Sequence, residues 1–312
     1  MIHAKKNAIV VCCTANQIPY AAVTLLSCRD HVAADVADLH LIVPDATDED
    51  ERKFGDFAAA RSLRVSLHRV LIDSSANELE HNSFSVGTVL RLYMDRWISH
   101  HYERVLYLDT DILAVGPVNT VFEIDLGRKP LGAVEDVHSI VQPNGIRLGA
   151  GYYGSLRLRS NSKYFNSGVL LFDWKAVVGR GRLLNCIRTG LYMRASGIEQ
   201  KFADQDILNV EFEDDWMPLN AKYNVMSLYA PHLGTSAVFR HFAGLSKPWD
   251  EMLHPQSFQY GPIYRRYLKG SPWQLPARLK WKKNAEWSFR EHYLNKFNFA
   301  MRRALRAQLP SD

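Results

Sequence analysis

The 312 residues carry 38 lysines and arginines against 33 aspartates and glutamates, with 47% hydrophobic and 11% aromatic content. That is ample apolar material for a sizeable core, and it excludes a chain disordered as a whole. The net charge of +5 is unevenly placed: residues 278–306 hold nine basic residues against Glu286 and Glu291, which leaves the rest slightly acidic. A globally basic nucleic-acid binder is excluded, and an anionic surface contacted at one end is indicated.

The chain opens on a short apolar run flanked by polar residues. It is too short for a membrane span and lacks a signal-peptide cleavage pattern, and no later stretch reaches ~18 uninterrupted apolar residues. The expected location is the cytoplasm. Cys12, Cys13, Cys28 and Cys186 show no metal-binding or redox spacing and read as buried, reduced thiols.

In chain order, β-rich runs at 9–13, 40–43, 64–70 and 105–108 alternate with helical patterns at 20–28, 48–60 and 85–98. In the last of these, Val86, Val89, Leu90, Tyr93, Met94, Trp97 and Ile98 recur at helical spacing. Such alternation predicts an α/β fold, a mostly parallel sheet with helices on both faces, whose ligands lie beyond the carboxyl ends of the strands. Residues 137–163 are glycine-rich and loop-like, either a mobile lid or an insertion. A second apolar run at 168–172 follows, then a helix from Trp174, another opening at Asp204, and a strand at 237–241. No linker divides the chain, which reads as one catalytic domain over 1–270 with an extension over 271–312.

Three Asp-x-Asp triplets occur. Asp48/Asp50 lies in a charged run and reads as a solvated helix start. Asp204/Asp206 opens a helix, where either a cap or a functional role is possible. Asp109/Asp111 alone emerges from an apolar strand. Strand residues i and i+2 share a face, so both carboxylates can address one cation. Three further blocks carry polar chemistry at element boundaries. Phe165-Asn166-Ser167-Gly168 precedes an apolar run ending at Asp173. Asp204-Gln205-Asp206 leads to Asn209. His241 is followed by Gly244, Lys247 and Trp249, where glycine permits close backbone approach and lysine suits a phosphate.

These four blocks, in this order and at these separations, resemble the retaining glycosyltransferases of family eight, which include lipooligosaccharide galactosyltransferases and glycogenin. The similarity is stronger to the bacterial lipopolysaccharide enzymes and covers about residues 8–250. It implies the GT-A nucleotide-sugar-binding fold, a Rossmann-like mixed sheet flanked by helices, with the basic tail as a C-terminal extension. The implied reaction is transfer of a hexose, galactose or glucose, from a UDP-sugar to a glycan or glycolipid acceptor, lipopolysaccharide or another cell-surface glycan. The implied ion is manganese, or magnesium, held by Asp109, Asp111 and His241 together with the UDP diphosphate, which Gly244 and Lys247 approach. Thr110 lies within the same motif.

By the same correspondence Thr14, Asn16 and Tyr20 hold the uridine, although close bacterial relatives often carry an acidic residue where Thr14 and Ala15 stand. Arg91 matches an arginine on the donor's sugar and phosphate side. Asp136, Asn166, Asp204 and Gln205 match sugar-facing catalytic positions. Retention of configuration requires either a covalent enzyme intermediate or same-face attack after the leaving group departs. Because an amide is a poor nucleophile, Gln205 at the β-face favours same-face attack through an oxocarbenium-like ion pair.

The tail mixes its cations with Trp281, Trp287, Phe289, Tyr293, Phe297 and Phe299. This composition fits contact with an anionic membrane surface, and hence a peripheral place on the inner face of the cytoplasmic membrane, or a helix packed on the body. No nucleic-acid partner is expected. Two other readings are a phosphatase of the haloacid dehalogenase type, disfavoured because its acidic pair ends the first strand rather than the fourth, and a non-catalytic sugar-nucleotide or glycan-binding protein of the same fold.

Overall fold

The computed structural model describes residues 6–72, 79, 86–136, 139, 150–226, 236–244, 247–250 and 255–277. Among the described residues, ten strands form two sheets: β1 (Asn7–Cys12), β2 (Ala37–Val43), β3 (Ser66–Arg69), β4 (Arg104–Leu108), β5 (Ile112–Ala114), β6 (Leu131–Glu135), β7 (Phe165–Asp173), β8 (Trp216–Pro218), β9 (Val225–Met226) and β10 (Phe239–His241). The large sheet has the order β3-β2-β1-β4-β7-β6-β8, and the small one β5-β10-β9. The first four strands of the large sheet are parallel, as expected. β7 runs antiparallel to both β4 and β6, so the sheet is mixed.

Both faces of the sheet are covered. Ile9, Val11, Leu106, Leu108 and Leu171 pack beneath the helices Ile18–His31 and Asp48–Ala60, through Leu25, Phe54 and Phe57 among others. The alternate residues Ala8, Val10, Val105, Tyr107, Leu170 and Phe172 pack with Cys186 and Ile207 of the helices Arg182–Ala195 and Asp204–Glu211. The strands therefore read as continuous apolar runs rather than alternating ones, as sheets buried on both sides must. The four cysteines are buried free thiols, and burial raises the pKa of each.

Two local differences from the sequence reading stand out. The pattern at 85–98 is a single α-turn, Val86–Val89, continued by a 3-10 segment, Leu90–Arg96. Leu90 to Met94 are all buried, Arg91 included, so no solvent face selects the 3.6-residue period. The Asp48/Asp50 pair does mark a helix start: Thr47 and Asp50 form a reciprocal capping box. Within the loop-like stretch at 137–163, Ala150–Ser155 is helical, while residues 137, 138 and 140–149 lie outside the described residues. So does the basic tail from 278 onward. No helix among the described residues is long and apolar enough to cross a membrane.

Away from the carboxyl ends of the strands, β2 and β3 carry a buried polar chain. His68 Nε2 lies 3.0 Å from His40 Nδ1, His40 Nε2 lies 2.9 Å from the Tyr102 hydroxyl, and that hydroxyl donates to Asp38 at 3.0 Å. Since Tyr102 gives its proton to a carboxylate, it accepts from His40 Nε2–H. His40 Nδ1 is then the acceptor for His68. Burial, reinforced by neighbouring His68, pushes His40 down to about 4. The unfolded chain, with histidine near 6.5, takes up more protons below that pH, so stability is lost as pH falls from about 6.5 to 4. On the order of 1–3 kcal/mol is at stake. Melting curves of His40→Gln across this range are expected to fall less steeply than those of the wild type. An unchanged slope would remove His40 from the account.

Candidate functional site

The strand directions assemble the site. β4 ends at Leu108, and the amino end of antiparallel β7 lies beside it, with Asp109 N–H donating to Gly168 O at 2.9 Å. β6 runs parallel to β4 and ends at the same edge, bringing Asp136 to Asn166. β5 turns back from the acidic pair and registers Ile112 against His241 of β10, while Phe242 N–H donates to Asp111 O at 3.0 Å. Segments more than a hundred residues apart thereby converge at the carboxyl end of the central strand.

Asp109, Asp111 and His241 each place one ligand atom within 4.8 Å of the others. His241 Nε2 lies 3.3 Å from Asp111 Oδ1 and 3.9 Å from Asp109 Oδ2. The remaining carboxylate oxygens are held by the protein. Asp109 Oδ1 accepts from Arg91 Nη2 at 2.7 Å and from the Tyr107 hydroxyl at 2.8 Å. Asp111 Oδ2 accepts from Lys247 Nζ at 2.5 Å. Each carboxylate thus presents one satisfied oxygen outward and turns the other toward the same imidazole nitrogen. Two carboxylate oxygens and an imidazole, spaced near the ~3 Å that separates adjacent ligands around an octahedral ion, suit a hard-to-borderline divalent metal.

The orientation of the His241 ring follows from its neighbours. Asp136 Oδ2 accepts from Asn166 Nδ2 at 3.1 Å, so Asn166 Oδ1 is an acceptor and takes Asn224 Nδ2 at 2.8 Å. Asn224 Oδ1 then faces His241 Nδ1 at 2.9 Å and accepts its proton. Nδ1 is thereby committed to Asn224, and Nε2 is the ring nitrogen directed at the two aspartates. This is the outer-shell arrangement that orients metal-ligating histidines.

A second polar group adjoins the first. Gln205 Oε1 accepts from Asn166 Nδ2 at 3.1 Å and from Ser167 N–H at 3.0 Å, and its Nε2 donates to Asp136 Oδ2 at 3.4 Å. Asp204 lies 3.0 Å from Arg91 Nε; burial, with a contribution from Asp109, raises it to about 7 despite the guanidinium. Asp204 is not the helix cap, which is Ala203. Ala203 has φ 43°, a left-handed conformation that costs an L-residue about 1–3 kcal/mol and here turns Asp204 and Gln205 inward. Asp206, the other half of that triplet, is committed to structure: it accepts from the hydroxyls of Tyr152 and Tyr164.

The expected nucleotide residues lie at the ends of β1 and β10. Thr14 donates to Asn16 Oδ1 at 2.6 Å, and Tyr20 stacks on Trp249 at 3.9 Å between centroids. Thr110 takes part through its carbonyl, which accepts from Thr24. Gly244 has φ +102°, a backbone conformation that L side chains rarely adopt.

Several residues here escaped the sequence reading. Tyr107, Asn224 and Asp45 are not singled out there, and Asn209 is noted only as the end of a polar block. Asp45, just past β2, accepts from Ala15 N–H at 2.8 Å, so a carboxylate does stand beside the turn that lacks one at positions 14 and 15. Asn209 holds the N–H and C=O of Phe165. Asn224 became visible only through its place between Asn166 and His241.

A mixed sheet covered on both faces, with an acidic pair at its central strand end, places the protein among glycosyltransferases of the GT-A fold. The family model described as glycosyl transferase family 8 matches residues 8–252, and the chain belongs to that family. It is similar to the glycosyltransferase GlyF of Streptococcus pneumoniae serotype 4, with 32% identity over 158 residues, 47% of this chain and 34% of that one. It is also similar to a lipopolysaccharide 1,2-glucosyltransferase of Escherichia coli, with 24% identity over 294 residues, 89% of this chain and 83% of that one. The chain thus spans about a third of the first relative's length and most of the second's. Among solved structures, the galactosyltransferase LgtC in complex with donor and acceptor sugar analogs shares the fold, with a TM-score of 0.69, 19% identity, and 91% and 99% of the two chains covered.

Proposed function

We propose that this glycosyltransferase moves a hexose, galactose or glucose, from a UDP-sugar to a glycan acceptor with retention of configuration and with a divalent metal, manganese or magnesium. The acceptor class is lipopolysaccharide or another cell-surface glycan, a reading supported by the likeness to lipopolysaccharide 1,2-glucosyltransferases of E. coli. The observation that carries the proposal is the convergence of Asp109, Asp111 and His241 on one point, with Nδ1 of the histidine committed to Asn224 and Nε2 turned to the carboxylates. A metal bound there supplies electrophilic assistance to departure of the diphosphate. In this reading Lys247 and Gly244 serve the diphosphate, and Thr14, Asn16 and Tyr20 the uridine.

The chain's own groups then handle the sugar. Asp136, Asn166 and Gln205 form one hydrogen-bonded group, and Asp204 beside Gln205 is ion-paired with Arg91. The Gln205 carbonyl oxygen already accepts two hydrogen bonds, which ties up its lone pairs and leaves it a positioning and electrostatic role. Retention then follows from attack on the face the diphosphate leaves, with the leaving phosphate taking the acceptor's proton.

The test is release of UDP from a panel of UDP-sugars, with manganese and with a chelator. Metal-dependent release from UDP-galactose or UDP-glucose supports the proposal, whereas binding without turnover supports a non-catalytic sugar-nucleotide binder. In the same assay Gln205→Ala is expected to keep measurable activity, lowered by ~10–1000-fold. A wild-type glycosyl adduct on Gln205, seen by mass spectrometry, would replace same-face attack with double displacement.

A further inference from the structure

Each metal-facing carboxylate already has a cation on its other oxygen. Arg91 Nη2 lies 2.7 Å from Asp109 Oδ1, and Lys247 Nζ lies 2.5 Å from Asp111 Oδ2. Neither cation is adventitious. Arg91 is buried, spans Asp109 and Asp204, donates to Ser167 O at 2.8 Å and lies over the Tyr107 ring. Lys247 also donates to Phe242 O at 2.8 Å, and its own N–H is held by Asp250. The two positive charges match the two of Asp109 and Asp111. Asp204 shares Arg91 with Asp109.

We propose that this charge balance couples metal and nucleotide: Lys247, paired with Asp111, weakens binding of a divalent ion alone, and a nucleoside diphosphate restores it by supplying the missing negative charge. The inference rests on the metal assignment made above and adds a role for Lys247 beyond contact with phosphate. The two partners are unequal by construction. Arg91 is locked by several contacts from different elements. Lys247 follows Gly244, is partly exposed, and holds Asp111 through a single ammonium. It is therefore the member whose attachment an incoming diphosphate can share or take over, since an ammonium pairs with phosphate oxygens as readily as with a carboxylate. A dication near a fixed positive charge loses affinity in proportion to that charge, and removing the charge returns it.

The test measures free Mn²⁺ by electron paramagnetic resonance during titration of the protein, alone and with saturating UDP. For the wild type, UDP is expected to tighten manganese binding by about tenfold or more. Lys247→Met is expected to bind manganese alone about tenfold more tightly than the wild type, with the UDP enhancement reduced by a like factor and the share due to diphosphate ligation kept. Lys247→Arg, which keeps the charge, is expected to retain the wild-type coupling. Unchanged or weaker manganese binding by a folded Lys247→Met variant, or an undiminished UDP effect, overturns the inference and leaves the metal site standing. A wild-type chain that takes up no manganese even with UDP overturns the metal assignment itself, and the coupling with it.

Discussion

Gly168→Ala is expected to lower metal-dependent turnover by about 100-fold or more, although it adds a single methyl group at a buried backbone position. A Cβ on residue 168 stands 2.3 Å from His241 Cε1, 2.8 Å from its Nδ1 and 3.0 Å from Asp109 Oδ2. None of these atoms can yield cheaply. The histidine is buried and pinned through Nδ1 to Asn224, and Asp109 is pinned to Arg91, Tyr107 and the carbonyl of Gly168 itself. The imidazole must shift by several tenths of an ångström at least, and displacements approaching 1 Å at a reacting site can cost about 100-fold in rate. Overpacking of this kind also costs about 1–3 kcal/mol, so the melting temperature should fall by several degrees. Turnover near the wild-type value in a folded Gly168→Ala protein would show that His241 does not need its present position.

The second large effect is expected at Asp111. Burial opposes its ionisation, but His241 and Lys247 outweigh burial and hold the carboxyl well below the usual carboxylate range. It is therefore a charged ligand at every working pH. Asp111→Ala should lose about 10³-fold or more in turnover at any manganese concentration, because it removes a ligand and leaves the Lys247 ammonium without its counter-charge. Asp111→Asn keeps the shape and separates these causes: it should remain folded and still fail to respond to manganese. His241→Ala is expected to behave in the same way. Full rescue of the Asp111 variants by raised manganese would mean that the carboxylate only tunes affinity.

How much of this was legible beforehand depended on whether a feature is local. The Asp109/Asp111 pair announces itself because an apolar strand ends in two acids on one face. The Asp48/Asp50 helix start was equally plain, since Thr47 completes a local box. What could not be read was pairing across the chain. Nothing near Asn224 in the sequence links it to His241 or to Asn166, and only the parallel pairing of β9 with β10 brings them together. Gly168 read as a small residue before an apolar run, while its actual constraint comes from a side chain 73 positions later. The stretch at 85–98 was misjudged for a different reason. Its apolar spacing fits a helix, yet Leu90 to Met94 are all buried, which weakens the amphipathic contrast on which that inference depends. The third acidic triplet divides between two functions: Asp204 faces Arg91 and Asp206 faces two tyrosines, a split that depends on the left-handed turn at Ala203.

The most direct test of the central claim is anomalous diffraction from crystals grown with MnCl₂ and UDP. The account predicts a manganese peak about 2.0–2.3 Å from one oxygen of Asp109, one oxygen of Asp111 and Nε2 of His241, with diphosphate oxygens completing the shell. Lys247 should then be found on the diphosphate or shared with Asp111. A peak bound elsewhere, or UDP seated in the cleft with no metal at these three residues, would contradict it.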